Sequence, residues 1–225
     1  MTQLSLSTIR YGKVKEELLN DGVIEKCGGQ GGGIRLAKYN TVRRQQNREE
    51  QKLYAPFITM LEKEITANKE AALTYNTSTV KRKIKWGNPD VTKISIRHLP
   101  FFQTTRITVT TYEIKAFDKF DISSAYEAIA HKRFAQEAYL ALEWSKDEPE
   151  EKIPYHVEEI RKICEDHGIG LIVLLHNGSE LDYQIYQEPK RNLHNDVEVD
   201  AFLLDVLGEE GIAKCNELRK MVETS

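Results

Sequence analysis

The sequence predicts an α/β fold: a mixed sheet flanked by helices, with a small helix-and-hairpin unit ahead of it. Three observations carry this. Residues 91–99 and 106–116 are rich in Val, Ile and Thr, which favour extended backbone. Stretches at 41–68 and from 125 onward place apolar residues at helical spacing on either side of them. Residues 169–175 form an apolar run with the composition of a strand buried on both faces.

In chain order, residues 8–20 predict a short amphipathic helix, with Ile9, Val14, Leu18 and Leu19 on or near one stripe and Asp21-Gly22 closing it. Two strand-like pieces, 23–26 and 34–37, flank Gly28-Gly29-Gln30-Gly31-Gly32-Gly33. This run does not match a phosphate-cradling loop. Ile34 stands where GxGxxG needs its third glycine, and no GK[ST] follows. A hairpin with a glycine-rich tip fits it better. The helix at 41–68 carries Leu53, Phe57, Met60, Leu61 and Ile65, and Pro56 should divide or kink it, lying in the first turn of the second segment.

Strands follow at 72–75, 80–86, 91–99 and 106–116, and the Gly87-Asn88-Pro89 turn puts Asp90 at the start of the third. Ser123 and Ser124 can cap a helix spanning 125–144. An acidic loop leads to a helix at 155–166, which Gly168 stops ahead of the buried strand at 169–175. Asn177-Gly178 predicts a hairpin turn into 181–186. Residues 195–223 read as two closing helices split at Gly208 or Gly211.

A chain of 225 residues, 40% hydrophobic and 30% charged, supports one substantial globular core plus a small appendage. Cys27, Cys164 and Cys215 are odd in number and scattered, which argues against a disulfide framework or zinc site and makes a reducing cytoplasm the expected setting. No apolar run approaches the roughly 20 residues of a transmembrane helix, and the N-terminus lacks a basic-then-apolar signal. A net charge of −3 argues against coating nucleic acid by charge alone. It leaves room for local patches, at Arg43, Arg44 and Arg48 and at Lys81, Arg82, Lys83 and Lys85.

The most informative residues are Asp90, in Asn88-Pro89-Asp90-Val91, and Glu113 and Lys115, in Tyr112-Glu113-Ile114-Lys115. Period-two alternation puts Glu113 and Lys115 on one face, with Thr111 and Val109 behind them. Charges on an otherwise buried strand are costly unless paired or bound to metal. Two carboxylates beside an ammonium are suited to Mg²⁺-assisted phosphodiester hydrolysis. The plainer alternative is that Asp90 caps a turn while Glu113 and Lys115 form an exposed ion pair on an edge strand.

Pro89-Asp90 followed by Glu113-Ile114-Lys115, set in the order helix, strands with the acids, helix, apolar strand, resembles the PD-(D/E)XK nuclease superfamily over roughly residues 46–187. The resemblance implies a restriction-endonuclease-like α-β-β-β-α-β core within 41–225. Residues 1–40 resemble the last helix and wing of a winged helix-turn-helix module whose earlier helices are missing. It further implies Mg²⁺, with Mn²⁺ able to substitute, held by Asp90, Glu113 and the backbone carbonyl of Ile114, with Lys115 orienting or activating the attacking water. A further acid from the first core helix is implied. Glu50, beside the stripe of Leu53, Tyr54 and Phe57, is preferred over Glu49, Glu62 and Glu64.

The implied partner is nucleic acid, with DNA the favoured substrate, in defence or repair. Its contacts would come from Lys81, Lys83 and Lys85, from Gln30 and Arg35 of the wing, and from His131 and Arg133 on the helix after the lysine, where Tyr126 reads as core. Double-strand cleavage would imply a homodimer or a larger complex. Two other readings stay open: a catalytically silent nucleic-acid-binding or regulatory module, and a subunit of a larger defence or repair assembly. RNA as substrate is also open. His156 and His167 lack partners at metal-ligand spacing, and no GxSxG nucleophile motif occurs.

Overall fold

The computed structural model describes residues 8–20, 24–26, 34–80, 88–117, 119–144, 155–177, 180–193 and 196–224. The chain divides into two compact units, Met1–Glu49 and Glu50–Ser225. In the first, helix α1 (Thr8–Asn20) is followed by strands β1 (Ile24–Lys26) and β2 (Ile34–Leu36). The two strands pair antiparallel, Ile24 opposite Leu36 and Lys26 opposite Ile34, which is the expected hairpin. Its glycine-rich tip, with Gln30 and Cys27, lies outside the described residues, as do the side chains of Arg35, Arg43, Arg44 and Arg48.

The second unit is built on a six-stranded mixed sheet in the order β3 (Ala72–Asn76), β4 (Val91–Leu99), β5 (Thr104–Lys115), β6 (Glu137–Trp144), β7 (Gly170–Asn177) and β8 (Glu180–Gln187). The pairs β3–β4, β4–β5 and β7–β8 are antiparallel, while β5–β6 and β6–β7 are parallel. The helices are α2 (Ala37–Ala67), α3 (Ile122–His131), α4 (Tyr155–His167) and α5 (Asp196–Thr224). Together with α1 they make five α-helices among the described residues, none long and apolar enough to cross a membrane.

Alternation along the central strands divides the core between the two faces of the sheet. Leu53, Tyr54, Phe57 and Leu61 of α2 pack with Val91, Tyr112, Ile114, Ala141, Ile172 and Leu174. On the opposite face, Ala125 and Ala128 of α3 and Ile160 and Cys164 of α4 pack with Leu140, Leu142 and Leu171. A third cluster anchors α5, where Phe202 stacks on Phe134 at 4.3 Å beside Val109. Cys164 is buried and Cys215 half-buried, both as free thiols.

The main correction concerns residues 125–144, which the sequence predicts as one helix. The helix ends at His131, a 3₁₀ turn covers Lys132–Phe134, and Glu137–Trp144 is strand β6. Glu137-Ala-Tyr-Leu-Ala-Leu-Glu-Trp144 is made largely of helix formers, yet β6 lies between two parallel neighbours and buries residues on both faces. Tertiary pairing overrides local propensity here. Asp121 caps α3, accepting from the Ser123 N–H at 2.7 Å, while Ser124 Oγ accepts from the Asp121 N–H at 3.2 Å.

Pro56 does not divide α2, which runs unbroken from Ala37 to Ala67. Pro56 and Lys52 are both exposed, so the Lys52 carbonyl left without its helical donor faces water. The strand expected at 80–86 falls almost entirely on residues outside those described, and Lys81, Lys83 and Lys85 go with it. Gly168 ends α4 in the left-handed conformation (φ 64), with the Ile169 N–H donating to the Cys164 carbonyl at 2.8 Å. In α5 the break falls at Gly208 (φ 59, ψ −176), one of the two expected positions.

Gly170, opposite Tyr139, has no room for a side chain: a β-carbon there would lie 2.3 Å from Tyr139 Cδ1. Tyr139 is itself stacked on Tyr112 at 5.4 Å. Gly170→Ala is expected to cost about 1–3 kcal/mol through overpacking. Urea denaturation should show a lower midpoint with an unchanged slope, and an unchanged midpoint would mean that Tyr139 yields freely.

Candidate active site

The β4–β5 hairpin brings the first groups together. The Asp90 N–H donates to the Tyr112 carbonyl at 3.0 Å, carrying the ladder one step beyond the Val91–Tyr112 pair. Continuing the register sets Asp90 opposite Glu113, where cross-strand β-carbons stand about 4.5–5.5 Å apart. Asp90 Oδ1 accepts from the Tyr54 hydroxyl at 2.6 Å and Oδ2 from the Ile114 N–H at 2.8 Å. Lys115 Nζ donates to Glu113 Oε1 at 2.7 Å.

Two helices complete the group, each with two residues one turn apart and therefore on one face. From α2 come Glu50, whose Oε1 is 3.9 Å from Lys115 Nζ, and Tyr54. From α3 come Glu127, whose Oε2 is 2.8 Å from Lys115 Nζ, and His131, whose Nδ1 is 3.6 Å from Glu113 Oε2. Asp90 and Glu113 are only 8% and 6% exposed, so solvent does little to spread their charge.

Burial, and then the charge of Asp90, hold the Glu113 carboxyl well above the ordinary carboxylate range, with Lys115 opposing. The charge of the Glu127 carboxylate and its hydrogen bond to Glu113 push the same way. Burial also raises Asp90, against the charge of Lys115 and the donors Tyr54 and Ile114. Burial alone would lower Lys115, but Glu113, Glu50, Glu127 and Asp90 together reverse this and keep its ammonium charged. Burial, then the charge of Asp90, keeps Tyr54 a neutral donor.

Among the described residues four carboxylates meet one ammonium, which cannot neutralise them all. The surplus must be relieved by protons or by a cation. The donors are all oxygen, which suits a hard cation, and Mg²⁺ is commonly held by one or two carboxylates plus substrate phosphate rather than by a full protein cage. Among the described residues no group of three or more His, Cys, Asp or Glu side chains forms such a cage. The residues present fit Mg²⁺ in donor chemistry, as a site that substrate would complete.

Of the residues singled out from sequence, Asp90, Glu113, Lys115 and Glu50 come together. Ile114 gives its N–H to Asp90 and buries its side chain in the core. The Glu113–Lys115 ion pair exists, but on an interior strand and in a buried setting, not on an exposed edge. His131 is 1% exposed and sits against Glu113. Arg133 is exposed, its guanidinium over the Phe134 ring at 5.2 Å.

Tyr126, expected in the core, is 45% exposed, because α3 turns Ala125 and Ala128 inward instead. Glu62 and Glu64 bond Thr74 and Tyr183 farther along α2. Lys81, Lys83, Lys85 and Gln30, and the side chains of Arg35 and His156, lie outside the described residues. Glu127, and the bond from Tyr54 to Asp90, are additions that the sequence reading missed. Their one local signal is spacing, Glu127 four residues before His131 and Tyr54 four after Glu50.

No protein-family model and no curated protein matches the chain. Among solved structures it is similar to a protein of unknown function from Silicibacter pomeroyi, at 11% identity over 70% of this chain and 82% of that one, with a TM-score of 0.38. It is also similar to SfsA of Pyrococcus furiosus in complex with Ca²⁺, at 13% identity over 76% of this chain and 77% of that one, with a TM-score of 0.33. Both likenesses lie below the level at which an activity could be read across.

Proposed function

We propose that this chain is a Mg²⁺-dependent nuclease of the PD-(D/E)XK type that hydrolyses phosphodiester bonds, with DNA as the first substrate to try. The observation that carries the reading is the gathering of Glu50, Asp90, Glu113 and Glu127 around the ammonium of Lys115, the one cation among the described residues there. Such a charge surplus opposes folding and is retained at sites that take a cation. The order α2, β3, β4, β5, α3, β6 agrees with the α-β-β-β-α-β core of that superfamily and supports the same reading.

Asp90 and Glu113 would hold the cation, which when bound would offset the negative charge developing on the scissile phosphate. Lys115 stays charged, so it acts as a hydrogen-bond donor that orients the attacking water and not as a base. Glu127 fixes the ammonium from α3, Tyr54 fixes the Asp90 carboxylate from α2, and His131 backs Glu113. Each positioning group therefore comes from a rigid element.

The test is cleavage of plasmid and single-stranded DNA with Mg²⁺ or Mn²⁺, with and without chelator, for the parent, Asp90→Asn and Glu113→Gln. Cation-dependent cutting by the parent alone is the expected result. Equal cutting by Glu113→Gln would sink the proposal. One observation favours a second reading, the catalytically silent binding module: both Asp90 oxygens already have protein donors, Tyr54 and Ile114. On that reading the parent binds DNA and cuts with neither cation.

A further inference from the structure

The hairpin that carries the candidate site at one end has an unusual other end. Pro100–Phe102 form a 3₁₀ turn, and Gln103 takes the left-handed conformation at φ 50. Phe101 is 92% exposed and Phe102 72%, their rings edge to face at 5.3 Å. Aromatic rings this exposed contribute little hydrophobic stabilisation to the fold. Just below them, Arg97 of β4 lies directly opposite Arg106 of β5, and both are exposed. Like charges placed directly across a strand pair are destabilising.

The next pair on the same face is Ser95 and Thr108, and Thr108 Oγ1 accepts from Arg191 Nη2 at 3.2 Å, bringing a third guanidinium to this face. Arg97, Ser95 and Thr108 line an open cleft of about 910 Å³. Acids around it are already engaged: Glu70 with Lys93 and Ser95, Glu137 with Thr110, Glu64 with Tyr183. Glu223, next in sequence to the cleft-lining Val222, accepts from Thr105 and Arg219. Among the described residues neither the Arg97 nor the Arg106 guanidinium has an acidic partner, so both can take an external anion, beside two aromatic faces.

We propose that this arm grips an unpaired nucleic-acid strand, with Phe101 and Phe102 stacking on its bases and Arg97 and Arg106 taking its phosphates. The combination of cations tracking a backbone and aromatics stacking on bases is the chemistry of single-strand recognition. The assignment rests on the nuclease reading above. From Thr104 to Glu113 along β5 is about 30 Å at roughly 3.3 Å per residue, within reach of a strand of the roughly 4–16 nucleotides that such grooves hold.

The test is fluorescence anisotropy of a labelled 20-nucleotide single strand and of the matching duplex, with chelator present so that nothing is cut. Phe101→Ala/Phe102→Ala should weaken single-strand binding by about 10-fold or more, since stacking is worth about 1–3 kcal/mol per base. Its salt slope should stay that of the parent. Arg97→Gln/Arg106→Gln should flatten the plot of log affinity against log salt by about 1.4, at roughly 0.7 per phosphate contact. Both double variants should melt at or above the parent temperature, which separates lost contacts from lost folding.

Arm variants that bind like the parent, a parent that binds no nucleic acid, or equal losses on the duplex would each overturn the proposal. Arm-dependent binding by a parent that never cuts with Mg²⁺ would uphold the arm and sink the nuclease reading. Cutting by a parent whose arm variants bind unchanged would do the reverse.

Discussion

Glu113→Gln is expected to raise the melting temperature of the cation-free protein at neutral pH while removing Mg²⁺-dependent cleavage. Burial and the neighbouring Asp90 hold the Glu113 carboxyl well above its ordinary value of 4.5. An acid raised in the folded state resists ionising there, so its contribution to stability is complete below about pH 4.5 and is lost as the pH climbs through the folded-state value. Glutamine has no proton to lose and removes that dependence. Lys115 keeps Glu127 at 2.8 Å and Glu50 at 3.9 Å, so the ammonium is not stranded.

Calorimetry from pH 5 to 8 with chelator should show the parent losing stability with rising pH more steeply than the variant. Each kcal/mol recovered appears as about 2–4 °C for a chain of this size. Added Mg²⁺ should raise the parent's melting temperature more at pH 8 than at pH 5, and hardly move that of the variant. Cleavage should fall roughly 10³-fold, equivalent to about 4 kcal/mol of lost cation assistance. A variant that melts below the parent at pH 7.5 would show that Glu113 is a net stabiliser, and the surplus-charge account would fail.

Lys115→Met should do the opposite and destabilise the fold. The methionine keeps an apolar stem of similar length but leaves Glu50, Asp90, Glu113 and Glu127 without their common cation. Removing one side of a buried charge group typically costs about 3–5 kcal/mol. Urea denaturation at pH 7.5 should show this loss. It should shrink at pH 5, where the carboxyls can take up protons, and Mg²⁺ should restore part of it at pH 7.5. A variant as stable as the parent at pH 7.5 would mean that the four carboxylates are relieved by something other than Lys115.

What could be read from the sequence follows from how local each cause is. The Val, Ile and Thr runs of β4 and β5 marked their own strands, and period two put Glu113 beside Lys115 without any tertiary knowledge. Glu50 was reachable because the α2 stripe of Leu53, Tyr54 and Phe57 fixes which way that helix faces. β6 was not, since a strand buried between parallel neighbours loses the alternation that separates it from a helix, and Ala, Leu and Glu favour the helix. The Tyr54 bond to Asp90 spans 36 residues of sequence, and no pattern along the chain encodes it. Glu127 entered the site only through the packing of α3 against β5.

The strand order adds a constraint of a different kind. In many open α/β sheets a ligand crevice opens where the strand order reverses and successive crossovers leave for opposite sides. This sheet runs β3 to β8 without inserting any strand between earlier ones, so its order never reverses. What changes instead is strand polarity, at β7, which is parallel to β6 and antiparallel to β8, and at β5, which is antiparallel to β4 and parallel to β6. At that seam the beginning of one strand and the ends of two others meet at a single rim. A loop leading into β4 can therefore set Asp90 beside residues from the end of β5, with α2 on one side and α3 on the other. The polarity change gathers the site residues at one rim, which the uninterrupted strand order alone would not.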